Sequence, residues 1–392
     1  MARLTLTRWL LSAALLSALS GCAAAQETAA PARPAEPLPA PAPLPPVPVR
    51  AAPMRPEVPK LWPVTSLHGA DYIDVREIAR RLGLKAAWSK SDVAMTLGDN
   101  TGPRFTFEAK QRDFYFDGLR IFLGEPVLRD NDSLWLSKID VIKIVAPLFR
   151  PGEHAAMLPA LPPRLIVIDP GHGGIDPGTE NKRVGINEKT ATLDVALRVQ
   201  KILEAQGWRA LLIRTDDREL SRDKKTDLLL RDEFANKNKA DLFLSIHFNS
   251  APEAITGIET YTMAPQFMLS TGDETGDGMT KQAYPSNRFD YANLLFGEQL
   301  HRAMRGGLKT PDRGFKRGRR AVLRMLDCPG ALVECAYLSN ETEARRVANP
   351  EYRQKIAQAL VTGLNNYAAA LEALHPKPPP PPGPAPAAAP AR

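Results

Sequence analysis

Leu165-Ile-Val-Ile168 is a continuous apolar, mostly β-branched run that breaks off at once into Asp169-Pro-Gly-His-Gly-Gly174. A run apolar at every position does not suit a strand with one wet face. It reads as a strand buried on both faces, as in parallel sheets. Pro170, Gly171, Gly173 and Gly174 stop it and leave His172 on a turn at its carboxyl end. Open α/β sheets gather their ligands in the crevice outside that end. Two further runs repeat the pattern. Asp241-Leu-Phe-Leu-Ser-Ile-His247 is a second buried strand, ending in histidine, and Ala331-Leu-Val333 is a third that delivers Glu334. Strand Arg209 to Ile213 and helix Lys225 to Lys237 lie between the first two, so the alternation predicts an α/β unit.

Asn187 reads as a helix N-cap and Glu188 as the first helical residue, with Val195, Ala196, Val199, Ile202 and Leu203 as the buried face and Gly207 as the stop. Glu188 then sits at the positive end of a helix dipole, which favours the ionised carboxylate that a metal needs. Each residue alone has an ordinary explanation. A histidine can occupy a Gly-rich turn, a first-turn glutamate can simply stabilise its helix, and Glu334 can pair with an arginine. Together they say more. In a parallel sheet His172, Glu188 and His247 can converge on one rim, and His₂Glu with a water in the open fourth position is a catalytic zinc set. Glu334, raised in pKa by apolar neighbours and lowered by a metal, can accept a proton from metal-bound water and pass it to a leaving amine. Asn249 and Asp169 are candidates to orient the rim, although turn chemistry accounts for either. His68, His154 and His375 fall in linkers or at domain edges and His301 lies mid-helix, so all four are expected at the surface.

The net charge of +7 suits a polyanionic partner, whether nucleic acid, an anionic envelope polymer or a membrane surface. The N-terminus chooses among them. Arg3 and Arg8 precede an apolar core, Trp9 to Leu19, too short to span a bilayer. Leu19-Ser-Gly-Cys22 closes it and resembles the lipobox of bacterial lipoproteins, which implies export, cleavage and a lipid on Cys22. Residues 1–22 are thus expected to be a lipoprotein signal peptide, and nucleic acid drops out as a partner. Ala23, standing where Gram-negative inner-membrane retention favours Asp, points to an outer-membrane anchor facing the periplasm. Residues 23–60 form a Pro/Ala-rich linker, with 12 prolines between Pro31 and Pro59, and residues 375–392 a Pro-rich tail; neither composition can bury enough surface to fold.

Residues 61–150 alternate short strands with one early helix, from Tyr72-Ile-Asp-Val75 to Lys138–Phe149. The order Asp74-Val-Arg-Glu-Ile-Ala-Arg-Arg-Leu-Gly-Leu-Lys85 followed by Trp88 resembles the small α+β stalk module at the N-terminus of copper amine oxidases. With no His or Cys cluster, the unit implies neither copper nor catalysis and reads as a spacer or a wall-binding module.

Residues 161–374 carry the chemistry. Asp169-Pro-Gly-His-Gly-Gly174, Asp176-Pro-Gly178, Asn187-Glu-Lys189, Arg214-Thr-Asp216, Arg231 with Ala235-Asn236, Asp241 to Asn249, Asp312-Arg-Gly314 and Ala331-Leu-Val-Glu334 occur in that order. The set resembles the zinc-dependent N-acetylmuramoyl-L-alanine amidases of the amidase-3 type. The resemblance implies a twisted, mostly parallel sheet flanked by helices, with His172, Glu188 and His247 holding one zinc and Glu334 as catalytic acid/base. It implies hydrolysis of the amide joining the lactyl group of N-acetylmuramic acid to L-alanine of the stem peptide. The expected partners are peptidoglycan, the membrane through lipidated Cys22, and an activator protein. Another zinc hydrolase of wall peptides, such as a carboxypeptidase, and a non-catalytic wall binder are the alternatives.

Three details remain. The polar loop between Gly257–Met263 and Phe289–Met304 is expected to be a mobile, substrate-contacting loop with no calcium site. The basic run Arg302 to Arg324, set against Asp312 alone, reads either as a hold on stem carboxylates or as a solvated face. Cys328 and Cys335 flank a strand whose seven extended residues span about 23 Å, beyond the ~7 Å a disulfide tolerates, so free thiols are expected.

Overall fold

The computed structural model describes residues 61–376 apart from 91–92 and 274–277. The signal with Cys22, the linker 23–60 and nearly all of the tail lie outside the described residues. Among those described, no helix is long and apolar enough to cross a membrane.

The N-terminal part carries nine strands: β1 (Thr65–Leu67), β2 (Ala70–Asp74), β3 (Lys85–Lys90), β4 (Ala94–Asp99), β5 (Gly102–Glu108), β6 (Asp113–Phe116), β7 (Leu119–Phe122), β8 (Leu128–Asp130) and β9 (Ser133–Ser137). Helix Val75–Leu82 is capped by Asp74 and stopped by Gly83 at φ 73°. The second part carries β10 (Leu165–Pro170), the two-residue β11 (Glu180–Asn181) and β12 (Ile186–Asn187), then β13 (Arg209–Leu212), β14 (Leu242–Asn249), β15 (Ile258–Thr262), β16 (Asp312–Arg317) and β17 (Gly330–Tyr337).

One eleven-stranded sheet runs β13-β10-β14-β17-β15-β16-β7-β6-β5-β4-β3. From β13 to β17 it is parallel, as the unbroken apolar runs require, and β15 turns antiparallel to β17. Ile166, Ile168, Leu244, Ile246, Ala331 and Val333 face helices Glu188–Ala205, Asp290–Leu308 and Pro350–Leu374 in the main core. Val167, Phe243 and Leu332 point the other way, under helices Lys224–Lys237 and Ala321–Arg324. The site therefore lies where a doubly covered sheet opens at its carboxyl rim.

The two parts share this sheet. β7 pairs with β16 in parallel through Ile121 and Phe315, and Met268, Leu294 and Phe315 from the second part complete the apolar core of the first. The described residues form one compact unit.

Four expectations need correction. His301 is fully buried, not a surface residue. It lies on the inward face of its helix with Leu300 and Met304, and the helix period left room for a histidine only because Thr260 Oγ1 (3.0 Å) and Asp312 Oδ1 (2.8 Å) meet its two nitrogens. His154 and His375 are half-buried, and the His154 ring stacks on Tyr291. The basic run is not one face: Arg317 and Arg319 are buried, Arg302 pairs with Glu298, and Arg313 and Lys316 pair with Glu259. The described residues of the polar loop are tied down, because Met268 is a core residue and Arg319 donates to the carbonyls of Pro265 and Met268. Arg112 adds bonds to the carbonyls of Asp273 and Ser270. Cys328 and Cys335 are free and buried, as expected.

Candidate metal centre and catalytic rim

His172 follows β10 in a left-handed conformation (φ 62°) between Gly171 and Gly173. A non-glycine residue there costs of order 1 kcal/mol and persists only if its surroundings enforce it. Two buried arginines do so. Arg214 donates to Pro170 O (3.1 Å) and Gly171 O (2.9 Å), and Arg231 donates to His172 O (3.1 Å). Arg231 is itself fixed by Asp169 (2.6 Å) and Asp227 (2.8 Å), and Asp169 accepts the Ser245 hydroxyl at 2.7 Å. Arg231 is thus paired with two carboxylates, as a low-dielectric interior demands, whereas Arg214 is met by backbone carbonyls and the Thr192 hydroxyl.

Glu188 opens its helix as the cap pattern predicts, with the Asn187 side chain accepting the Thr190 N–H. Its Oε1 lies 3.1 Å from His172 Nε2 and 2.9 Å from His247 Nδ1. Backbone donors hold the carboxylate, Phe248 N–H to Oε1 at 2.9 Å and Thr179 N–H to Oε2 at 2.8 Å. One ligand atom from each of His172, Glu188 and His247 lies within 4.8 Å of the others, a group able to hold a metal ion. The imidazoles meet edge to face at 5.0 Å. Two glycines make this approach possible. A Cβ on Gly171 would stand 2.3 Å from the His247 ring, and one on Gly178 would stand 2.5 Å from Glu188 Oε2.

Burial opposes ionisation of Glu188, yet hydrogen bonds from the two imidazoles hold its carboxyl well below the usual range. Burial also lowers the His172 pKa, but Glu188 and Asp176 outweigh it and the net shift is upward. His172 Nδ1 lies 2.9 Å from Asp176 Oδ2, an ion-pair contact that is not aligned as a hydrogen bond.

Glu334 sits on β17 with His247 opposite it on β14 and Glu259 opposite it on β15. It is partly open to solvent, while its Oε2 is buried with no hydrogen-bond partner among the described residues. Burial, then the Glu188 charge, push its pKa well above the usual carboxyl value, against the fields of Arg320 and Lys316. Asn249 bonds to Glu259 (3.2 Å) and not to the donor triad.

The strand-end residues His172, His247 and Glu334 and the helix-start Glu188 thus share one rim. Asp176, Glu259 and the clamps Arg214 and Arg231 had no assigned role in the sequence, although Arg214, Arg231 and Asp176 stood in the motifs quoted. Arginine on the inward face of helix Lys224–Lys237 was the available signal.

Fold and rim together define an α/β domain with a His₂Glu donor set beside a half-buried glutamate. Residues 166–366, just over half the chain, match the family described as N-acetylmuramoyl-L-alanine amidase, and the chain belongs to that family. Its matched region is a peptidoglycan amidase domain, a hydrolase of the cell wall. An uncharacterised cell wall amidase of Bacillus anthracis is 34% identical over 206 residues, covering 52% of this chain and 35% of that protein. The germination-specific N-acetylmuramoyl-L-alanine amidase of Bacillus subtilis is 30% identical over 213 residues, covering 52% and 79%. The crystal structure of an N-acetylmuramoyl-L-alanine amidase from Clostridium difficile aligns with a TM-score of 0.43 at 28% identity, over 53% of this chain and 98% of that one. The chain therefore spans about a third of the first relative and about four fifths of the second.

Proposed function

We propose that the whole chain cleaves the amide between the lactyl group of N-acetylmuramic acid and L-alanine of the stem peptide, using one zinc ion held by His172, Glu188 and His247. The observation that carries this reading is the convergence of three donors from separate elements beside a glutamate oxygen with no hydrogen-bond partner among the described residues. Two imidazoles and one carboxylate fit zinc by donor chemistry, with glycines clearing the space around them. Zinc bound there supplies Lewis acidity, polarising the carbonyl and bringing the pKa of its water toward neutrality.

The chain's own residues do the rest. Glu188 would be the carboxylate donor, and two backbone N–H groups fix it in place. Asp176 stands beside the His172 ring, and the Arg214–Arg231 clamp keeps the His172 backbone in place. Glu334 takes up a proton as water attacks and returns it to the alanine nitrogen. Burial and the Glu188 charge raise its pKa, the direction that favours a carboxyl taking up the proton.

The localisation reading completes the proposal: export, lipidation at Cys22, and an outer-membrane tether that holds the catalytic residues 161–374 in the periplasm. Residues 61–150 act as the stalk-like module, and an activator protein remains a partner of this reading.

Mass spectrometry of muropeptides incubated with the full chain tests the reaction. Stem peptides with a free N-terminal alanine are expected, and a zinc chelator should abolish them. Shortened stems would point to a carboxypeptidase, and unchanged muropeptides to a binder. Glu334→Gln should bind zinc with unchanged stoichiometry and lose at least about a hundredfold in kcat; turnover near wild type removes Glu334 as the acid/base.

A further inference from the structure

Beyond Glu334 the rim carries cations that the proposed hydrolysis leaves unused. Glu259 is 2% exposed and accepts from Asn249 Nδ2 (3.2 Å), Tyr261 OH (2.7 Å) and Tyr337 OH, with Lys316 Nζ at 2.6 Å and Arg313 Nε at 3.2 Å. One carboxylate thus already faces two cations. Arg320 adds a third. It is exposed, just ahead of the Ala321–Arg324 helix, and its guanidinium stacks 4.2 Å from the centre of the Tyr261 ring.

That ring is a fixed plate. Tyr261 stands two residues from Glu259 on β15, hence on the sheet face that carries Glu334, and donates its hydroxyl to Glu259. The backbone beside Arg320 is pinned as well. Gly318 N–H bonds to Thr262 O at 2.9 Å, and Arg319 donates into the carbonyls of Pro265 and Met268. Among the described residues no carboxylate pairs with Arg320, whereas Arg313 and Lys316 are both engaged by Glu259. The field of Arg320 reaches Glu334. An exposed planar fork is therefore held near the acid/base, stacked on and bonded to Tyr261, with no carboxylate among the described residues opposite it.

We infer that Arg320 determines specificity by receiving a free carboxylate of the stem peptide, so that carboxylate-bearing stems are cleaved in preference to their carboxamide counterparts. The inference rests on the amidase reading above. A guanidinium matches a carboxylate with two parallel hydrogen bonds. A carboxamide has nearly the same size but no charge, so the discrimination is electrostatic and weakens with salt.

The test is steady-state hydrolysis, by the full chain, of two synthetic muramoyl peptides that differ only in carboxylate against carboxamide in the stem. Wild type should prefer the carboxylate about tenfold in kcat/KM. Arg320→Gln should bring that ratio to near one, with the loss carried by KM, and Arg320→Lys should restore part of it. A ratio that stays at the wild-type value in Arg320→Gln, or a wild type without preference, overturns the inference while leaving the amidase reading intact. Wild type that cleaves neither peptide sinks that reading, and this inference with it.

Discussion

Asp232 is a carboxyl that the fold tolerates at a cost. It is 1% exposed; Oδ2 accepts the Met325 N–H at 3.3 Å, while Oδ1 is buried with no hydrogen-bond partner among the described residues. Burial pushes its pKa up to about 8, Asp169 adds to the shift and Arg324 opposes it. In the unfolded chain such a carboxyl titrates near ~4. Between these values the folded state binds a proton that the unfolded state lacks, so this residue's contribution to stability improves as pH falls from about 8 toward ~4. Asp232→Asn keeps an acceptor for Met325 and removes the charge. It should stabilise the protein by ~4 kcal/mol more at pH 9 than at pH 5, the linkage of a carboxyl moved from ~4 to about 8, as read from urea unfolding at both. An equal effect at the two pH values contradicts the buried-charge account. The same logic explains why Arg231, equally buried, carries no such penalty: Asp169 and Asp227 flank it.

At the scale of the element, the turn after β10 depends on parts far from it in sequence. Arg214 follows β13 and Arg231 sits on helix Lys224–Lys237, and their guanidinium groups fan across the carbonyls of Pro170, Gly171 and His172. Lysine cannot reproduce that fork. Arg231→Lys should weaken zinc binding by ~10–100-fold, the usual range for losing a supporting contact, measured by competition with a chelator. Affinity within twofold of wild type would show that the turn stands without the clamp. Sequence patterning revealed the strands and the cap for a plain reason. Leu165–Ile168 and Leu242–Ile246 are apolar at nearly every position, and Asn187 and Glu188 form a local cap signal. The clamps and the burial of His301 depend on distant partners, such as Asp169, 62 residues from Arg231, and Thr260, 41 residues from His301, and a polar side chain's partner leaves no trace in local periodicity.

At the scale of the molecule, the least legible feature was the junction between the two parts. A change in pattern near residue 150 looks like a domain boundary, yet β7 and β16 meet through Ile121 and Phe315, a pairing that neither segment announces. Phe315 is fully buried in the core of the first part, and Gly297 leaves it room, since a Cβ there would lie 2.3 Å from its ring. Met268 and Leu294 enter the same core, so neither part can unfold without exposing apolar surface of the other. A tethered spacer would melt on its own; a shared core should not. Calorimetry of the full chain should therefore show one cooperative transition for the folded region. Phe315→Ala, costing ~3–5 kcal/mol, should lower that transition as a whole instead of splitting it. Two resolved transitions, with only the smaller displaced by Phe315→Ala, would mean that the N-terminal strands fold independently. With one transition, any load transmitted through residues 61–150 reaches the sheet that positions Glu334, whose strand lies two places from β16.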